Sequence, residues 1–248
     1  MARSTTARAS KTTIDGRSRA TRGATAAGPG SDPAGGAEVT DDRPTRDRIL
    51  DAALRSFGTE GYDVTSLDQL AADLGVRKQT ILYYFKSKPE LLDAVIDRSS
   101  AELAGVLEAA IVGAGGGFDR IEAIVRSVFR LALRRPELLG LLREVGRLGA
   151  PAATRLSDNL DPLVQRAREF LEAEMAMGHF RQSDARLLLL SVYSTVLGVA
   201  TEVEVLRAIG IEPTLRSTTI RRRELLQFLR RALVEVSVEK GNEPSRPS

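Results

Sequence analysis

The stretch that most constrains this chain is residues 65–88, TSLDQLAADLGVRKQTILYYFKSK. It predicts two short helices joined by a tight turn, the second carrying donors where a buried helix would close its apolar face. Thr65 suits an N-cap, because its hydroxyl can accept from a free helical N–H, and Asp68 sits three residues on. Leu67, Leu70, Ala71 and Leu74 recur at helical spacing and give the first helix one buried side. Gly75 is the expected stop, and Val76 can plug the angle between the two helices. From Arg77 the run RKQTILYYF offers only Ile81, Leu82 and Phe85 as an apolar face. Arg77, Lys78, Gln79, Thr80, Tyr83 and Tyr84 are left for something outside the protein. A helix of that size fits the DNA major groove, where such side chains can read base edges.

The surroundings extend the pattern. The run ILDAALRSFGTEGYDVTSLDQLAADLGV is followed by Thr80 to Phe85 as T-x-x-x-Y-F and then by KSKPELL. Together, from Arg46 to Leu92, these pieces resemble the DNA-binding domain of the TetR family of one-component transcriptional regulators. The resemblance covers about a fifth of the chain and is specific in its preceding helix, its spacing and its following Lys-x-x-Leu-Leu from Lys88 to Leu92. It implies an all-α protein: an N-terminal three-helix helix-turn-helix domain, then a larger helical ligand-binding and dimerisation domain. Two positions depart from the family's pattern. Leu82 stands where relatives usually carry a phosphate-touching Tyr, and Arg77 where many place a small N-capping residue.

Composition agrees with helices and excludes little else. Ala, Leu and Arg lead the helix-propensity ranking and are abundant here, while aromatics make up only 4% of 248 residues. The absence of Cys excludes disulfide and thiol chemistry and fits a cytoplasmic protein. A net charge of +3 permits nucleic-acid binding without demanding it. No apolar run opens the chain as a signal peptide would, and residues 187–200 are too short a run to span a bilayer, which needs roughly 20 residues. No membrane partner is expected.

Residues 1–43 lack periodicity and read as a disordered tail, basic in its first half and acidic in its second. They are either a solubilising tail or a basic arm that lies along phosphates or enters the minor groove. The DNA-binding domain is expected over 44–92 and the ligand-binding and dimerisation domain over 93–240, with a loose tail at 241–248. Helices are expected at 45–57, 89–110, 118–134, 136–148, 157–177, 184–209 and 218–238. In the family the helix from Pro89 links the two domains and its angle sets the distance between reading heads. GAGGG at 113–117 matches no phosphate loop and reads as a helix connection. Arg221 to Arg223 read as a solvated or ion-paired face, and the lone His179 as a helix-end residue satisfied by a carbonyl. One His and no Cys make a metal site or a catalytic triad improbable, and no cofactor or enzymatic constellation is found.

The function expected is a homodimeric, ligand-responsive regulator, a repressor of genes behind a palindromic operator. Lys78, Gln79 and Tyr83 are the candidates for base contacts. Thr65, Ser66, Tyr84 and Lys88 are the candidates for phosphates, with Arg77 and Thr80 on the same helix. By resemblance, the last two long helices pair with a second subunit, and a small effector binds in the second domain. Phe129, Phe170 and Tyr193 are the candidate lining residues, and the scarcity of buried polar groups favours an apolar effector. The competing class is a nucleoid-type protein that binds DNA with little sequence preference.

Overall fold

The computed structural model describes residues 44–234, and among these every regular element is a helix. The N-terminal tail, Asp41 and Asp42 before the first helix, and residues 235–248 with Val236 lie outside the described residues. In order the helices are α1 (Thr45–Thr59), α2 (Leu67–Leu74), α3 (Lys78–Tyr84), α4 (Lys88–Val112) and α5 (Phe118–Arg134). Then come α6 (Pro136–Leu148), α7 (Ala152–Ala176), α8 (Ala185–Thr201), α9 (Val203–Ala208) and α10 (Leu215–Leu233).

Two apolar clusters organise them. The first gathers Ile49, Leu50, Ala53, Leu54 and Phe57 of α1, Leu70 and Ala71 of α2, and Ile81 and Phe85 at α3. It continues through Leu91, Leu92, Val95 and Ile96 of α4 into Leu138, Leu139, Leu141 and Val145 of α6. The second joins Phe118, Ile121, Val125 and Phe129 of α5 to Leu171, Met175 and Phe180, to Val196 of α8, and to Leu225 and Leu229 of α10. Burying such side chains contributes roughly 1.5–3 kcal/mol each.

α1 and α6 cross with backbone touching backbone. A Cβ built on Gly140 would lie 2.0 Å from the Gly58 carbonyl oxygen, and one on Gly58 would lie 2.1 Å from that of Glu137. Below this crossing Glu144 accepts from the Tyr62 N–H at 2.6 Å, and Arg147 bridges Glu144 and Asp63 at 2.8 Å each. Tyr62 packs edge-on against Phe57 with ring centroids 5.3 Å apart. α4 is tied along its length by ion pairs: Arg98 to Asp51 of α1, Glu102 to Arg135, Asp97 to Arg155, and Glu108 to Arg166.

Several expectations need correction. Ser66, not Thr65, caps α2: its hydroxyl accepts from the Gln69 N–H at 3.0 Å, while Thr65 is buried and donates to the Gly61 carbonyl at 2.8 Å. α7 begins at Ala152, five residues before the expected start, and Val164, expected to point inward, is 45% exposed. The single helix expected at 184–209 is two, because Glu202 leaves helical geometry at φ −79°, ψ 73°. Arg143 from α6 reaches that break and pairs with Glu202 at 3.0 Å. α10 starts at Leu215 through a reciprocal cap between Thr214 and Ser217. Arg223 is exposed and pairs with Glu224 at 2.9 Å, as expected, but Arg221 is half-buried: it donates to the Val199 carbonyl, and burial pushes its pKa down. His179 meets the Glu174 carboxylate at 2.8 Å, not a carbonyl, and Glu174 also accepts from the Gly117 N–H at 3.2 Å. The glycine run does connect two helices, with Gly117 at φ 58°, ψ −133°, a conformation that favours glycine.

Candidate nucleic-acid interface

The turn between α2 and α3 is built as its sequence demands. Gly75 takes φ 66°, ψ 29°, the left-handed region open to glycine, and its N–H together with that of Val76 returns to the end of α2. Arg77 stands at the N-cap of α3 in extended geometry without a side-chain cap bond, so its guanidinium stays outside and exposed. Ile81 and Phe85 are buried at 0% and 2%, and they anchor a helix of only two turns on α1. Arg46 of α1 lies over the Phe85 ring, 5.3 Å from its centroid, and closes the outer side of that anchor.

With those anchors in place, the opposite face of α3 points away from the protein. Gln79 is exposed and Tyr83 is 83% exposed. The Tyr83 and Tyr84 rings meet edge to face at 5.1 Å, which limits how far either can swing. Leu82 and Thr80 are half-buried at the edges. Arg77, Gln79, Tyr83 and Tyr84 are all exposed on or beside α3.

The remaining candidates are less available. Lys78 is held by Asp68 of α2 at 2.8 Å. Lys88 lies 4.2 Å from the centre of the Tyr62 ring and 3.4 Å from the Asp63 carbonyl. Thr65 has its hydroxyl proton committed to Gly61, whereas Ser66 is exposed and, accepting from Gln69, keeps its own proton to donate. Sequence reasoning missed Asp68 as a partner of Lys78; the two are ten residues apart, and only the turn brings them together.

The three ligand candidates are not brought to one place. Phe129 is sealed in the second cluster, and Phe170 packs beside it against Phe180, with the Arg120 guanidinium 5.2 Å from its ring centroid. Tyr193 is 52% exposed on α8. An open groove of about 500 Å³ runs between the end of α7 and the start of α8, lined by residues such as Arg168, Glu172, Met175, Gln182 and Arg186. None of the three candidates borders it. Among the described residues no cluster of three or more His, Cys, Asp or Glu could hold a metal ion, and no helix is long and apolar enough to cross a membrane.

A short helix displayed by a two-helix anchor at one end of a larger helical body defines a helix-turn-helix protein. Comparison with known proteins gives that class its family. Residues 49–95 match the family model for bacterial regulatory proteins of the tetR family. The HTH-type transcriptional repressor DrrR1 of Streptomyces coeruleorubidus is 32% identical over 108 residues, 44% of this chain and 39% of that protein. The HTH-type transcriptional regulator BetI of Rhizobium meliloti is 31% identical over 125 residues, 46% of this chain and 62% of its own. The chain thus spans less than two thirds of the length of these curated relatives. In fold the likeness is broader: a transcriptional regulator from Saccharomonospora viridis, solved in complex with choline, superposes with a TM-score of 0.63. That superposition covers 77% of this chain and 98% of the other at 22% identity. Residues 49–95 thus match a TetR-family helix-turn-helix domain, and the chain shares the all-α fold of the solved regulators it resembles.

Proposed function

We propose that the chain is a homodimeric transcriptional repressor that binds a palindromic operator and releases it when a small apolar effector binds the body. The observation that carries this reading is the outward face of α3, where Gln79 and Tyr83 are exposed on a helix fixed from behind by Ile81 and Phe85. Gln79 offers the paired donor and acceptor that suit adenine, and the Tyr83 ring can pack on a thymine methyl. Ser66, Tyr84 and Lys88 would fix the register on phosphates, with Arg77 adding charge at the groove edge. Two copies related by a twofold axis would present two such helices to half-sites about one helical turn, or a small multiple, apart.

Dimerisation draws support from the outer faces of α8 and α10, where Leu187, Leu190, Tyr193, Ile220 and Phe228 stand exposed. The effector reading rests on the aromatic character of the second cluster, where Phe118, Phe129, Phe170 and Phe180 gather with Met175. An effector that fits only the body conformation with misplaced heads is weakened by the operator to the same factor by which it weakens operator binding.

The test is selection of bound fragments from a genomic DNA pool at physiological salt. A recovered palindrome whose half-site preference changes at one position in Gln79→Ala and at another in Tyr83→Ala supports the reading. Each loss should be about 1–3 kcal/mol on the operator. Enrichment of no motif overturns it.

A further inference from the structure

The turn that positions α3 also places an acid against the first residue of that helix. Asp68 lies in the first turn of α2, and its Oδ2 meets the Lys78 Nζ at 2.8 Å. Among the described residues this is the ion pair that joins α2 to α3. Both side chains are open to solvent, 70% exposed for Asp68 and 42% for Lys78, so desolvation does not force the pairing. Asp68 sits two residues after Ser66, the exposed cap whose free proton can reach a phosphate. With α3 in a major groove, the start of the preceding helix crosses the backbone of the duplex. A carboxylate there faces phosphates and repels them unless a cation stays with it.

We propose that Asp68 is an affinity-limiting residue that retains Lys78 at the α2–α3 junction, so that this lysine cancels the acid instead of reading a base. This rests on the operator-binding reading given above. Its consequence is a head whose affinity for arbitrary DNA is held down. The pair contributes no net charge next to the phosphates, and discrimination falls to Gln79 and Tyr83. A free lysine in the same place would release a counterion from any sequence, which raises binding to all DNA alike.

The test compares the full chain with Asp68→Asn, Asp68→Glu and Lys78→Ala, each titrated against operator and against a scrambled duplex of equal length over a salt series. Asp68→Asn should bind both duplexes about three- to tenfold more tightly and steepen the salt slope by about one. The ratio of operator to scrambled affinity should not rise. Asp68→Glu, which keeps the pair, should behave as the parent. Lys78→Ala leaves Asp68 uncompensated and should weaken both duplexes by a similar factor without relaxing preference at any one operator position. A position-specific loss in Lys78→Ala, or an unchanged salt slope in Asp68→Asn, overturns the proposal. Absence of any preferred duplex for the parent defeats the operator reading instead, and the Asp68→Asn effect on scrambled DNA remains measurable by itself. Circular dichroism of each variant separates loss of the head's fold from loss of charge.

Discussion

Glu144 shows how a single side chain can tie the reading head to the body. Its carboxylate accepts from the Tyr62 N–H at the entrance to the helix-turn-helix while holding Arg147, which in turn holds Asp63. The Arg147 guanidinium is the main cause that keeps this carboxyl below its ordinary value of 4.5, burial opposes it, and the Tyr62 N–H adds to the lowering. A carboxyl depressed in the folded state stabilises fully above its unfolded value, and the contribution is lost as pH falls through the folded one. Glu144→Gln should therefore cost about 1 kcal/mol at neutral pH and make the acid limb of stability shallower. The two proteins should converge at the acid end, as denaturant titrations across pH will show; a constant gap at every pH would speak against this role. The residue scale is also where the sequence was hardest to read. Thr65 and Ser66 are adjacent hydroxyls with the same capping chemistry, and only the fold decides that Thr65 turns inward to Gly61 and Ser66 outward to Gln69. The Asp68–Lys78 pair was hidden for the same reason, since charge pairing across a turn has no period.

At the scale of elements, what was legible followed local rules. Leu67, Leu70, Ala71 and Leu74 marked α2, Gly75 its stop, and the sparse apolar set Ile81, Leu82 and Phe85 left α3 open. What was not legible depended on distant contacts. The α8–α9 break at Glu202 lies within an apolar run with no Gly or Pro at the break, and Arg143 from α6 meets it there. Gly140 lies inside α6 with no turn signal around it, and it is where α6 lets α1 approach to backbone contact. Gly140→Ala should destabilise by about 2–3 kcal/mol, because the clashing atom is a carbonyl oxygen and neither helix can move without repacking the first cluster. Gly146, on the same helix with nothing within 4 Å of its Cβ position, is the control. Gly146→Ala should stabilise by up to about 1 kcal/mol, as helix propensity requires. Thermal unfolding of the two variants should move in opposite directions, and a shared direction would remove the crossing as the cause.

For the whole molecule, the proposed dimer would use the outward apolar faces of α8 and α10 to bring two heads to DNA. Phe228 is 58% exposed in the C-terminal half of α10, and a twofold axis through that face would bury it on both copies. Phe228→Glu should weaken the dimer by about 3 kcal/mol or more, at roughly 1.5–3 kcal/mol for each buried aromatic. Sedimentation would show a monomer at micromolar concentration, and operator binding would become steeply dependent on protein concentration. A dimer of unchanged strength would place the interface elsewhere. The crossing of Gly58 and Gly140 sets a further condition at this scale. The head's apolar cluster does not close at Leu92 but runs on into Leu138, Leu139 and Leu141 of the body. The chain should therefore resist being cut and spliced between α3 and α4. A chimaera that grafts this head onto another body will need a glycine facing Gly58 and an acid in reach of the Tyr62 N–H. A designer of hybrid sensors would accordingly transplant α6 together with α1 to α4, although residues 113–135, which carry α5, lie between them in sequence.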